Sequence, residues 1–371
     1  MFFVVVKSLV HYKRRLRALQ HALAENQIHA LLVTHLPNIR YLCGFSGSAG
    51  ALLVTEEDAV FFSDGRYSQQ ARDEVKSARI VIGQSNLFDA VAAYLKQRIR
   101  ARRGWRLGFE ADYLTFSSRK HLGARLSSGV RLIETHRLIE NARIIKDSDE
   151  IRLIRRAAKV GAGLLLQATK AIKNGKNEGE VAAEMEYSAR IAGAEAMSFS
   201  TIIAGGARSS LPHARATKTA IPSGSFVVCD FGVILAGYCS DRTRTVFKGR
   251  PNADARAVYQ AVLEAQQAGI EAVKPGVTAG DVDGACRKIL KSKSLDKYFT
   301  HSTGHGVGLE IHESPRLAAG QTQILQPGMV VTVEPGVYIP RKWGVRIEDM
   351  VLVTERGHEV FAPGSKELIA L

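Results

Sequence analysis

The rhythm of apolar and polar positions changes part-way along the chain. Tyr12 to Leu23 repeats apolar residues at helical spacing, and His29 to Val33 is an apolar run of strand length. Ala51 to Thr55 with Ala59 to Ser63 predicts a hairpin. Tyr67 to Val75, Phe88 to Arg100 and Ser117 to Leu126 follow the helical period, and Leu107 to Phe109 is a short strand among them. Gly104, Gly108 and the turn Ser127-Ser128-Gly129 punctuate this stretch. Residues 1–139 therefore read as a mixed α/β domain.

Asp147 to Lys173 carries a longer helical pattern. Its start, Asp147-Ser148-Asp149-Glu150, supplies a cap and the acidic first turn that a helix dipole favours. A second helix is expected from about Asn177 to Ile191. Strands follow at Thr201 to Ala204, Ser225 to Phe231 and Thr243 to Phe247. Helices near Ala253 to Val273 and Ala279 to Lys291 separate these from the last β segments. Residues 140–371 thus form a second domain, and the fold class is α+β.

Length and composition agree with this division. A chain of 371 residues suits two cores, and 46% hydrophobic with 23% charged residues is the balance of an ordinary soluble protein. No run approaches a membrane span. The opening Met1-Phe2-Phe3-Val4-Val5-Val6 is too short for a signal sequence, and its basic residues follow it; it reads as an edge strand or as the product of an upstream start. The net charge of +15 raises the question of nucleic acid, but the excess is spread over both halves with no basic tail. Its densest pieces, Lys13-Arg14-Arg15 with Arg17 and Arg98 to Arg106, read as solvated surface, with a footprint for anionic partners as the alternative. Cys43, Cys229, Cys239 and Cys286 show no CxxC spacing, which suits buried thiols in a reducing, cytoplasmic setting.

The chemistry lies where charge interrupts apolar runs. Asp230 closes Phe226-Val227-Val228-Cys229, Glu334 closes Met329-Val330-Val331-Thr332-Val333, and Glu348 sits within Val345 to Met350. These runs read as buried strands, where a carboxylate is expensive unless paired or bound to metal. One such residue is explained by an ion pair. Three, together with Asp241 and with His305 in a glycine-rich turn, point to a metal site. Gly232 and Gly237 lie between Asp230 and Asp241, so two short strands and a turn would return Asp241 to Asp230. His213, His301, His305 and His312 all fall in polar or glycine-rich loops.

These residues lie in a series of short motifs: Pro212-His213, Cys229-Asp230-Phe231-Gly232, Ser240 to Thr245, Gly304-His305-Gly306-Val307-Gly308, Val333 to Tyr338 and Gly344 to Asp349. In this order they resemble the pita-bread metallopeptidases, a family that includes methionine aminopeptidase, aminopeptidase P and prolidase. Tyr41 to Ser48 and Ser63-Asp64-Gly65-Arg66-Tyr67 are similar to the creatinase-like N-terminal domain of the proline-directed branch. The resemblance implies a pita-bread catalytic domain behind a smaller creatinase-like domain. It also implies two divalent ions, with Asp241 and Glu348 bridging, Asp230 completing one site, and His305 with Glu334 the other. The hard, oxygen-rich donor set suits Mn²⁺, with Co²⁺ or Zn²⁺ possible. Two ions roughly 3.5–4 Å apart can share a hydroxide and polarise a carbonyl.

By the same resemblance Glu334 moves the proton, His213 and His312 steady the tetrahedral oxyanion, and His301, Tyr338 and Arg346 line the proline side. Arg346 has an alternative as the partner of a carboxylate such as Asp241. Arg242 and Arg244 share a strand face, either for ion pairing or for an anionic substrate end. Glu310 and Glu313 fall outside the five ligand positions and read as solvated groups or as supports behind the ligands. The expected activity is release of the N-terminal residue from peptides with proline in second position. Prolidase activity on Xaa-Pro dipeptides is the alternative, and a nucleic-acid- or protein-binding role a remote one. A homodimer or homotetramer, with no membrane association, is implied.

Overall fold

The computed structural model describes residues 12–83, 86–98 and 104–371. The opening segment Met1–Val6 and the end of the expected helix Phe88–Arg100 lie outside them. The chain divides into two compact units, Met1–Arg143 and Ile144–Leu371.

The first unit is built on a six-stranded sheet. Its strands are β1 (Ala30–Val33), β2 (Ala51–Thr55), β3 (Ala59–Asp64), β4 (Arg79–Gly83), β5 (Trp105–Glu110) and β6 (Val130–Thr135), in the order β4-β3-β2-β1-β5-β6. β1 runs antiparallel to β2 and parallel to β5. All four of its residues are fully buried, so both faces are covered and the run is continuously apolar instead of alternating. Around the sheet lie α1 (Tyr12–Glu25), α2 (Leu36–Cys43), α3 (Ser68–Glu74), α4 (Leu87–Arg98), α5 (Phe116–Arg125) and α6 (Leu138–Arg143). The sequence reading did not anticipate β4, β6, α2 and α6. The two strands form the sheet's edges, where half-exposed positions blur the pattern.

In the second unit, α7 (Ser148–Lys173) opens on a capping box: Asp147 accepts from the Asp149 and Glu150 amides, and Glu150 accepts from the Asp147 amide. α8 (Glu178–Ile191) starts the same way at Asn177. Then come β7 (Ala196–Met197), β8 (Ile202–Gly205), β9 (Ser225–Phe231), β10 (Val233–Leu235), β11 (Tyr238–Cys239) and β12 (Arg242–Lys248). After α9 (Ala253–Ala272) and α10 (Ala279–Ser292) come β13 (Gly304–Gly306), β14 (Glu313–Leu317), β15 (Val330–Val333), β16 (Gly336–Ile339), β17 (Trp343–Arg346), β18 (Asp349–Val353) and β19 (His358–Val360). The main sheets are β12-β9-β8 and β14-β13-β15-β18-β19, and β16 and β17 form a hairpin. α7 and α8 pack on the first sheet through Ile172, Val181 and Met185 against Val227, Cys229 and Val246. α9 and α10 cover the second through Val262, Val282 and Leu290 against Val331 and Val351.

Two expectations change in detail. The run Val345 to Met350 is not one strand: β17 ends at Arg346, β18 begins at Asp349, and Ile347 and Glu348 cross between two sheets. The break falls where the Glu348 amide donates to Thr243 O at 3.1 Å, turning the chain toward β12. Between Asp230 and Asp241 the chain makes the hairpin β10–β11, which pairs with β7 in a sheet of its own, before β12 returns beside β9.

Candidate metal centre

The pairing of β8, β9 and β12 sets one side of the site. Ile202, Asp230 and Thr243 stand in one row across the three strands, so their side chains share a face. Asp241 immediately precedes β12 and so lands next to Asp230. The second sheet supplies the opposite side. His305 is the middle residue of β13, Glu334 follows β15, and Glu348 lies in the crossing from β17 to β18. His305 stands against a neighbouring strand so closely that a Cβ at Gly304 would run into the Thr332 carbonyl.

Asp241, His305 and Glu348 each place a ligand atom within 4.8 Å of the other two. His305 Nε2 is 3.5 Å from Asp241 Oδ2 and 3.4 Å from Glu334 Oε1. Its Nδ1 is 3.0 Å from Gly306 O. A carbonyl cannot donate, so the ring proton sits on Nδ1 and Nε2 turns a bare lone pair toward two carboxylates. Burial, then His312, pushes the His305 imidazole down to about 4, so it stays neutral. Asp230 Oδ1 and Glu348 Oε1 are buried without a hydrogen-bond partner among the described residues. Burial and the mutual repulsion of the carboxylates raise Asp241 and Glu348 well above the carboxylate range, and burial raises Glu334 to about 8. Lone pairs converging with so little positive charge among them form a set that a divalent cation fits.

Arg346 is the cation inside this set. Its Nη2 lies 2.5 Å from Asp230 Oδ2, Nη1 donates to Tyr338 OH (2.6 Å) and Pro212 O (3.1 Å), and Nε donates to Thr243 Oγ (3.1 Å). The carboxylate it grips is Asp230, not Asp241. Tyr338 OH in turn lies 2.9 Å from His301 Nε2, and His301 Nδ1 lies 2.8 Å from Ser302 O. The protons are thereby ordered: Arg346 donates to Tyr338, Tyr338 to His301, and His301 to a carbonyl. Burial depresses His301 to about 4 and raises the Tyr338 phenol to about 12, so both stay neutral. The His312 ring meets the His305 ring edge-on at 4.4 Å, and His213 is close enough to weigh on both His301 and His312. All ten residues singled out in the sequence are thus gathered in the second unit.

Residues 152–355 match metallopeptidase family M24, and residues 15–145 match the creatinase/prolidase N-terminal domain. The chain belongs to metallopeptidase family M24. It is 38% identical to the Xaa-Pro dipeptidase of Pyrococcus furiosus over 96% of this chain and 100% of that protein. Among solved structures, it is similar to an Xaa-Pro dipeptidase from Bacillus anthracis, with TM-score 0.90 and 39% identity over 97% and 100% of the two chains. The X-Pro aminopeptidase of Thermotoga maritima gives TM-score 0.86 and 30% identity over 94% and 99%. The fold is therefore a creatinase-like N-terminal domain followed by a pita-bread catalytic domain, and the family implies divalent metal ions.

Several residues that support this M24 site escaped the sequence reading. Thr243 Oγ donates to Glu348 Oε2 at 2.7 Å, and Thr332 Oγ accepts from the His305 amide at 3.1 Å. Asp349, fully buried, holds Arg244 at 2.6 Å, Lys366 at 2.7 Å and Gln266 at 3.0 Å. Arg244 reaches on to Glu348 O (2.5 Å) and Thr243 O (2.9 Å). Arg242 donates to Ala362 O at 2.8 Å. Ion pairing and backbone bonds therefore occupy both arginines. Asp283 accepts from the Thr303 amide and hydroxyl, and its partner Arg287 donates to His301 O at 2.7 Å. Thr243, Thr332 and Asp349 left a trace, each standing in a run or motif that also carries a ligand.

Proposed function

We propose that this M24 member is a metal-dependent Xaa-Pro aminopeptidase. The observation that carries the reading is the convergence of Asp230, Asp241, His305, Glu334 and Glu348 with lone pairs left without protein donors. Those five residues would hold two divalent ions, and the oxygen-rich set favours Mn²⁺ over Co²⁺ or Zn²⁺. Bound there, the ions supply Lewis acidity and lower the pKa of water. Glu334 takes the proton of the attacking water and passes it to the leaving proline nitrogen. His213 and His312 donate to the oxyanion as it forms. His301 and Tyr338 line the proline side, held in one protonation pattern by Arg346. Four buried, unpaired cysteines fit a cytoplasmic setting, and we expect a homodimer or homotetramer in solution.

The choice between aminopeptidase and dipeptidase turns on the carboxylate that follows proline in a dipeptide. Arg346 and Arg242, the candidates to hold it, are both buried and engaged, Arg346 by four protein acceptors. Their engagement favours a pocket that leaves the rest of the peptide free to extend. The dipeptidase reading is favoured by the activities named for the Pyrococcus and Bacillus relatives. Kinetics on matched Xaa-Pro and Xaa-Pro-Yaa substrates in Mn²⁺ buffer separate the two. Higher kcat/KM for the tripeptide is expected; cleavage confined to dipeptides makes this a prolidase, and efficient removal of methionine from Met-Ala peptides discards both.

A further inference from the structure

Glu313 lies outside the ligand set, yet the loop that carries His312 is built around its carboxylate. β13 and β14 pair as far as Gly306 and Glu313, so residues 307–312 form a closed loop between them. Inside it, Glu313 Oε1 accepts from the Glu310 amide at 3.1 Å, and Oε2 lies 3.0 Å from Lys146 Nζ. Gly308 makes room for this, since a Cβ there would meet Oε2 at 2.5 Å. The two charged side chains are 1% and 7% exposed, so water does not share the pair. Lys146 is itself fixed: its amide donates to Gly328 O at 2.9 Å, and it directly precedes the capping box of α7. On the loop's other edge the Cys239 amide donates to Gly308 O at 2.8 Å.

We propose that Lys146 and Glu313 are positioning residues for His312. A buried ammonium–carboxylate pair with further hydrogen bonds has one good geometry, so it ties the fixed start of α7 to the residue next to His312. The His312 ring then stands edge-on to His305 because the backbone beneath it cannot drift. A reactive group carried on a loop needs such a tie, since small misplacements lower turnover steeply. This inference rests on the reading of His312 as a group that acts on the transition state.

The test compares Lys146→Met, Glu313→Gln, the double variant and His312→Ala, using the full chain loaded with Mn²⁺ and an Xaa-Pro-Yaa substrate. Lys146→Met should lower kcat by about 10–100-fold, with KM and metal stoichiometry near wild type. The double variant, which leaves no charge without its counterpart, should recover part of that loss. The ¹⁵N resonances of the His312 ring, read in the chelated protein to avoid paramagnetic broadening by Mn²⁺ and assigned by their disappearance in His312→Ala, should shift in Lys146→Met. If Lys146→Met fails to fold, Glu313→Gln carries the same expectations. A lower thermal midpoint with unchanged kcat and unchanged ring resonances would overturn the proposal, leaving only a structural ion pair. A His312→Ala variant that turns over like wild type would remove the underlying reading of His312 instead, and the positioning claim with it.

Discussion

A neutral imidazole turning its lone pair to two carboxylates is repulsive at any protonation state those carboxylates hold as anions. His305 is in that position, with Asp241 at 3.5 Å and Glu334 at 3.4 Å from Nε2. Asp241 adds to the strain, since burial and Glu348, Asp230 and Glu334 all oppose its ionisation. Function and stability therefore pull apart at this residue. Asp241→Asn should remove stoichiometric metal binding and activity, as measured by calorimetry and elemental analysis. The same change should raise the thermal midpoint of the chelated protein, by the equivalent of about 0.5–2 kcal/mol, because an amide needs neither the buried charge nor the retained proton that the carboxyl requires without metal. An unaltered or lower midpoint in the chelated variant would show that Asp241 is satisfied without a cation.

Strands meet at this site by backbone clamps as much as by pairing. Arg244 of β12 holds the carbonyls of Thr243 and Glu348, and Asp349 of β18 holds Arg244. Asp349→Asn takes the carboxylate away from two closely bound cations, Arg244 and Lys366, in a buried place. It should destabilise the fold by about 3–5 kcal/mol and weaken metal binding about 10–100-fold, read by urea unfolding and by calorimetry. Metal affinity equal to wild type would separate this clamp from the site. The carrying strands β9 and β15 were legible in the sequence because both their faces are covered and their runs are largely apolar, and β12 through the β-branched and aromatic residues of Thr243 to Phe247. The break at Glu348 was not legible, because Val345, Ile347 and Met350 continue the apolar pattern of a strand while the chain passes from one sheet to another. Asp349 and Glu313 were visible as residues, but their partners were not. A partner 83 or more positions away leaves no spacing in the sequence, and Gln266 and Lys146 reach Asp349 and Glu313 over such distances. The ligands themselves were legible because each interrupts an apolar or glycine-rich segment where no charge belongs without a partner.

At the level of the whole molecule, the second unit without metal folds around carboxylates that resist ionisation. Asp241 and Glu348 are raised by burial and mutual repulsion, and Glu334 by burial to about 8, so the native metal-free chain holds protons that the unfolded chain has already released. His301 and His305 act in the opposite sense, since burial lowers both to about 4. Their effect is confined below the ordinary histidine value of about 6.5, where the unfolded chain begins to bind the protons they refuse. Above that pH only the carboxylates remain, and native protons in excess mean that stability falls as pH rises. Each proton retained contributes a slope of about 1.4 kcal/mol per pH unit, so the chelated protein should lose roughly 2 kcal/mol between pH 6.5 and pH 8 for every proton it keeps across that window. Metal binding requires the same groups to be deprotonated, so affinity should increase over that window and the loaded protein should show little of the loss. Urea midpoints at the two pH values, with chelator and with Mn²⁺, measure both curves. A chelated protein that is equally or more stable at pH 8 would mean that the buried carboxylates are already charged and paired, and that no cation is needed to hold the five residues together.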